Sequence, residues 1–191
     1  MAVEKDKVDI KELSIQNAKS GNKSDLTGGI VEFSYYESIL SNHVSATMTV
    51  SDTGNTVGEG KDKKDLLNGL PVRGGEPVRL RALDQSKNKI EFTGDNAFYV
   101  NRVKNGLSDT TRNTVQFDLC TKEFIANEQT RVVSRYSGKI SESIKKILKT
   151  RLKTKNYKDS DIEETANSYN FIGNDRKPFY VLTWLATKSI P

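Results

Sequence analysis

The chain has few of the residues on which most catalytic chemistry depends. Its 191 residues hold one cysteine, Cys120, and one histidine, His43. A lone cysteine makes no intrachain disulfide, so this is not a disulfide scaffold. One His and one Cys also make no cluster of the three or four ligands that a zinc site needs. No run of about 18 apolar residues occurs, so there is no helical membrane anchor in the sequence. The opening, Met1-Ala-Val-Glu-Lys-Asp-Lys7, lacks the apolar segment of a secretory signal. Synthesis in a cytoplasm fits.

Charge of one sign is also in short supply. Thirty basic residues face 25 acidic ones, a net charge of +5. The two signs are interspersed, as on an ordinary solvated surface, although a basic excess permits contact with nucleic acid.

What the sequence does have is alternation. Val31, Phe33 and Tyr35 alternate with Glu32, Ser34 and Tyr36. Val44, Ala46, Met48 and Val50 alternate with Ser45, Thr47, Thr49 and Ser51. A period of two predicts strands with one face on a core. Glu37-Ser-Ile-Leu-Ser-Asn42 between them is too short for a crossover, so the pair is expected to be antiparallel. Further strands are expected at Val78–Ala82, Ile90–Phe92, Ala97–Val103 and Val115–Leu119, with a weak polar start over Val8–Ile15. Ser20 to Gly29 reads as a loop, and Lys64 to Leu70 as one helical turn. Many short strands at this spacing predict a barrel or sandwich.

Past Arg131 the period changes. Ile140, Ile144, Ile147, Leu148 and Leu152 share one helical face, with Lys145, Lys146, Lys149 and Arg151 opposite. A second helix is expected from Pro178, a residue suited to the first helical turn, with Phe179, Leu182, Leu185 and Ala186 inward. The expected class is α+β: an antiparallel β-barrel domain over residues 1–130, then a small α-containing domain over residues 131–191. The end at Ser189-Ile-Pro191 reads as a cut through a longer chain.

The remaining candidates for chemistry read structurally. His43 sits between two strands with no identifiable catalytic partner. Alternation puts Cys120 on a polar face, framed by no basic motif. Gly54-Asn-Thr-Val-Gly-Glu-Gly60 lacks the Lys-Ser/Thr of a P-loop. Arg73-Gly-Gly75 reads as a turn rather than an anion site. Asp161, Glu163 and Glu164 are the carboxylates available to a hydrolase, but they lie in a polar connector rather than on rigid elements. No catalytic residue, metal site or cofactor is expected.

Four segments, in order, resemble the central baseplate hub family of T4-like contractile-tailed phages, whose tail-tube-like fold recurs in the N-terminal part of type VI secretion spike proteins. They are Glu37 to Asp52, Leu67 to Leu80, Ser137 to Leu148 and Phe171 to Ala186. The resemblance implies a tail-tube-like barrel and a structural virion protein of the tail baseplate. It implies a homotrimer whose pseudo-sixfold ring adapts a trimeric spike to a hexameric tail tube. Its partners would be other copies of itself, the spike, the tail tube and other baseplate proteins, with a passing contact with DNA in the lumen. Members of that family continue past this point into further β structure. The long polar loop after Asp52 is where a subunit or tube contact is expected, through Thr53, Asn55, Val57, Glu59 and Lys61, with Arg79 and Arg81 on the neighbouring strand. The alternative is a nucleic-acid-binding β domain using Arg79, Arg81 and the Lys145–Arg151 face.

Overall fold

Alternation becomes burial most clearly in the centre of the sheet. The structure is a computed structural model that describes residues 8–17, 21–52, 66–69, 72–108, 113–155 and 157–191. β4 (Ser45–Asp52) lies antiparallel to β8 (Asn113–Cys120), with Ala46 opposite Leu119, Met48 opposite Phe117 and Val50 opposite Val115. All six side chains are buried. Cross-strand partners share a face, so these pairs form the middle of the core.

The other strands extend this ladder. β1 (Asp9–Gln16) pairs with β2 (Lys23–Asp25) and with β5 (Pro77–Leu83). β3 (Ile30–Tyr36) pairs with β4. β7 (Phe98–Ser108) bridges β5 and β8. β6 (Lys89–Phe92) pairs with the far half of β5. The order is β2-β1-β5-β7-β8-β4-β3, with β6 beside β5, antiparallel throughout. The expected helical turn appears as α1 (Leu66–Gly69).

Connectivity forces this sheet to curl. Laid flat, seven strands would put β2 and β3 about 29 Å apart. Only residues 26–29 join them, and the five steps from Asp25 to Ile30 reach at most about 18 Å. The sheet therefore bends into a half-barrel, and the link is fixed in place. Leu26 N donates to Leu13 O at 2.8 Å. Leu13 N donates to Thr27 Oγ1 at 2.9 Å, and Thr27 in turn donates to Asp25 Oδ1 through its N at 2.9 Å and its Oγ1 at 2.6 Å. Those two bonds hold the Asp25 carboxyl below its usual range. A Cβ on Gly29 would stand 2.8 Å from Ser51 O, so only glycine passes that close to β4. Phe33 meets the buried Phe98 at 6.1 Å, and the exposed Tyr35 meets Phe92 at 5.6 Å between ring centroids. Side chains of β3 thus reach β6 and β7.

Contacts divide the chain into two units, residues 1–121 and 122–191. The second unit opens with α2 (Lys122–Gln129), a helix absent from the expected pattern. It continues through β9 (Arg135–Tyr136), α3 (Ile140–Ile147) with a π turn at Leu148–Leu152, β10 (Phe171–Ile172) and α4 (Pro178–Ala186). Its core joins Val132, Tyr136, Ile140, Ile147, Phe171, Val181 and Leu185. Asn127 of α2 is buried because its Oδ1 accepts the Phe179 N–H at 2.8 Å, at the start of α4. Ser141 and Thr165 exchange hydrogen bonds in the same way. Ser141 N donates to Thr165 Oγ1 at 3.2 Å, and Thr165 N donates to Ser141 Oγ at 3.3 Å. The fold is α+β.

Three local expectations change. Val31 was expected inward but is 62% exposed, because a bulge between Ile30 and Glu32 takes it out of phase with β4. Cys120 was expected on a polar face but is 2% exposed. It pairs with Ser45 on one side and Tyr99 on the other, so both of its neighbours are strands. The inward face of α4 is Pro178, Val181 and Leu185, and Ala186 faces solvent.

Candidate assembly surfaces

The strongest surface feature grows from the β3–β4 connection. Ile39 is 100% and Leu40 93% exposed at its tip. Val31, Tyr35 and Tyr36 on β3 are exposed as well. β3 pairs only with β4 among the described residues, so it is an edge strand whose outer backbone groups face away from the sheet. Single exposed apolar residues are ordinary, but two adjacent aliphatics beside an apolar edge strand are not. Burying each would contribute about 1.5–3 kcal/mol. The backbone of the connection is held locally: Ser41 Oγ donates to His43 O at 2.8 Å, and Leu40 N to Ser38 Oγ at 3.2 Å. Partial burial lowers the His43 pKa. Sequence reasoning treated this segment as a connector. The available signal was the Ile39-Leu40 pair inside an otherwise polar six-residue link.

The expected contact residues Thr53, Asn55, Val57, Glu59 and Lys61 lie outside the described residues. The ends of their loop are tied together, with Leu66 N donating to the buried Asp52 Oδ2 at 2.6 Å. Arg79 is half-buried on the outer face of β5, opposite Ser14. Arg81 is engaged within its own sheet. Its Nε lies 2.8 Å from Glu91 Oε1, and its guanidinium reaches Glu12 Oε2 at 3.5 Å. Lys23 Nζ also reaches Glu12 Oε1, at 2.6 Å. The Lys23 hydrogen bond holds the Glu12 carboxyl below its usual range, and the Arg81 hydrogen bond does the same for Glu91. The Arg81 charge is thus balanced locally by two carboxylates, with its side chain 55% exposed.

The other candidates settle into structural roles. The Arg73-Gly-Gly75 turn is a nest for an anion, and the chain supplies that anion itself. Arg73 N and Gly74 N donate to the two oxygens of the buried Glu76 carboxylate, both at 2.8 Å. Burial pushes the Cys120 thiol up to about 11, leaving no thiolate at neutral pH. Asp161 accepts the Lys158 N–H at 2.8 Å, Glu164 pairs with Lys139 at 2.5 Å, and Glu163 is exposed. None of the three lines the cleft beside α3 or the cleft beside α4. Of the expected basic face, Arg151 turns inward, its Nη2 donating to Ser134 Oγ at 3.0 Å. Among the described residues no group of His, Cys, Asp and Glu is arranged to hold a metal, and no helix is long and apolar enough to cross a membrane.

The second unit also has an open cleft of mixed polar and apolar lining, of about 180 Å³, beside α4. Ile172 and Tyr180 are exposed on it, and Arg176 lies over the Tyr180 ring at 5.3 Å. Trp184 stands edge-on to Phe171 at its base, with ring centroids 5.5 Å apart.

Set against solved structures, this arrangement has a counterpart. The fold is shared with a phage tail protein. The match is the crystal structure of the 43 kDa tail protein of prophage MuSo2 from Shewanella oneidensis, with a TM-score of 0.55 and 12% identity over 93% of this chain. A type VI secretion system component of E. coli, described as structurally similar to T4 bacteriophage tail proteins, aligns over 99% of the chain at a TM-score of 0.48 and 9% identity. The chain spans about half the length of these two proteins, 48% and 46%. No protein-family model and no curated protein matches the sequence.

Proposed function

We propose that this chain is a structural, non-catalytic subunit of a contractile phage tail, located in the virion as the central hub of the baseplate. In this reading its curled sheets associate as a homotrimer and form a pseudo-sixfold ring. The ring joins a trimeric spike to a hexameric tail tube, contacts other baseplate proteins and encloses a lumen through which DNA passes. Heterologous contacts repeated around an axis close such a ring. The observation that supports it best is the apolar edge of β3 with the Ile39-Leu40 tip, exposed on a fold shared with a tail protein. A nucleic-acid-binding β domain is less well supported, because Arg81 is already paired with Glu12 and Glu91.

The test is mass photometry of the chain mixed with cognate spike and tube proteins. The expected result is a complex containing three copies. In the double variant Ile39→Ser, Leu40→Ser the complex is lost while the far-UV spectrum and melting point stay unchanged. A chain that remains monomeric beside both partners refutes the hub reading. A complex that forms equally well with the double variant refutes the role of the tip.

A further inference from the structure

A cleft of about 410 Å³ opens beside α3, between its exposed face, β9 and the turn at Asp159. Four cationic side chains line it, Arg135, Lys145, Lys146 and Lys149, against two carboxylates, Glu142 and Asp159. The cations are not equivalent. Lys145 is well shielded, with its side chain 21% exposed and its Nζ 3.1 Å from Glu142 Oε1. That hydrogen bond raises the Lys145 pKa and keeps the group charged. Lys149 has only a long, solvated contact of 3.7 Å with Asp159. Arg135 and Lys146 have no carboxylate partner among the described residues. Lys146 instead lies over the Tyr136 ring, 5.5 Å from its centroid. The lining therefore carries two positive charges in excess, held around one concavity. Such an arrangement favours a counter-anion, since like charges gathered around one concavity repel.

We propose that this cleft is a binding site for a compact, multiply charged phosphate-type oxyanion, with Arg135 and Lys146 as its principal ligands. Arg135 offers a planar fork of donors for two oxygens, and Lys146 a point charge. Ser137, exposed on the rim, adds a hydroxyl donor. The cleft offers nothing for a nucleobase. Its one aromatic, Tyr136, is 4% exposed and stacked on Phe171 at 5.0 Å, so no ring face is free for stacking. Recognition is thus of the phosphate group, whether free or on a nucleic-acid backbone. The site lies wholly within residues 135–159 and does not depend on the assembly reading.

The experiment is a 1H–15N correlation titration of the full chain at constant ionic strength, first with inorganic pyrophosphate and then with a single-stranded oligonucleotide. The expected result is saturable shifts confined to Arg135–Ser137 and Glu142–Thr150. In Arg135→Gln, Lys146→Gln the affinity drops by about tenfold or more, the loss expected when charge-assisted bonds are removed. Lys153→Gln, outside the cleft, leaves binding unchanged. Arg135→Lys keeps the charge but loses the fork and gives an intermediate loss, which also guards against misfolding of the double variant. Oligonucleotide shifts displaced by pyrophosphate identify a backbone phosphate; pyrophosphate binding alone identifies a free anion. Linear, unsaturated shifts spread over every lysine-bearing surface overturn the proposal. So does an acidic peptide that shifts these resonances where pyrophosphate does not, because the cleft would then dock a protein segment.

Discussion

Replacing Gly173 by alanine tests how the second unit is held together. Gly173 follows β10 and lies against the chain entering β9. A Cβ built there would stand 2.1 Å from Val132 O and 2.5 Å from Val132 Cγ1. Real Cβ atoms essentially never approach closer than 3.0 Å, so the two backbones must part by close to 1 Å. The neighbour cannot yield cheaply. Val132 is fully buried, its N donates to Arg176 O at 2.9 Å, and Gly173 N donates to Ser134 O at 3.2 Å. Overpacking of this kind costs about 1–3 kcal/mol. Weakening the two bridging hydrogen bonds adds about 1 kcal/mol. A loss of about 2–4 kcal/mol in a unit of this size corresponds to a fall in Tm of roughly 10–25 °C. The assay is intrinsic fluorescence on heating. Trp184 is the only tryptophan in the chain and packs against Phe171, two residues away, so its emission reports this unit. Gly28→Ala is the control, since a Cβ there meets nothing within 4 Å. A Gly173→Ala melt within about 2 °C of the parent would mean that the backbones separate freely, and the packing argument would fail.

Two further outcomes follow from the first unit. Thr27→Val removes the acceptor of the fully buried Leu13's N–H and the donor to Asp25, so stability should fall by about 1–3 kcal/mol, with faster hydrogen exchange at the Leu13 amide. Unchanged exchange there would show that Thr27 does not pin the link. The Cys120 thiol has its pKa raised by burial from about 9 to about 11, so the unfolded chain loses this proton first. Stability attributable to this group is therefore complete below about pH 9 and declines between about 9 and 11. Denaturant midpoints for the parent and Cys120→Ala should diverge in that window, and parallel pH profiles would contradict it.

The parts of the fold that were legible in the sequence are those where one face is buried and the other is not. β4, β5 and β8 each lie mid-sheet, and their inward residues alternate except at Cys120, the last residue of β8. α3 and α4 were legible for the matching reason at helical period. What was missed broke the period or had none. The Val31 bulge inserts one residue, which no composition rule announces. β2 is three residues long, with only Ser24 buried, and it exists because β1 offers it a ladder. α2 hides because its buried residue is Asn127, a polar group whose partner is 52 residues away. The exposed Ile39-Leu40 pair falls between these cases. Ile39 and Leu40 stand out in the sequence, but whether such a pair tucks inward or projects depends on the tertiary path of the connection. Arg81 failed as a free cation for a similar reason, since Glu91 and Glu12 approach it only once the strands are in register.

The sheet's edges are not equally open, and the difference bears on which one meets a partner. Edge strands in natural proteins are blunted by shortness, by charge or by bulges, because their unpaired backbone groups otherwise recruit other strands. β2 is blunted by length, with Lys23 and Asp25 at its two ends. β6 is blunted by charge, with Lys89 and Glu91 on its exposed positions. β3 has a bulge at one end, but toward its other end come Tyr35, Tyr36, Ile39 and Leu40, with no lysine among residues 30–44. Among the described residues, β2 and β6 thus carry protection along their length, whereas β3 carries it only at its bulged, Glu32-bearing start and leaves its far end apolar. If the exposure of Ile39 and Leu40 were incidental, the same lack of protection should recur at β2 or β6. It does not, so on the assembly reading the far end of β3 and its loop, beyond the bulge, are the side on which the next chain sits.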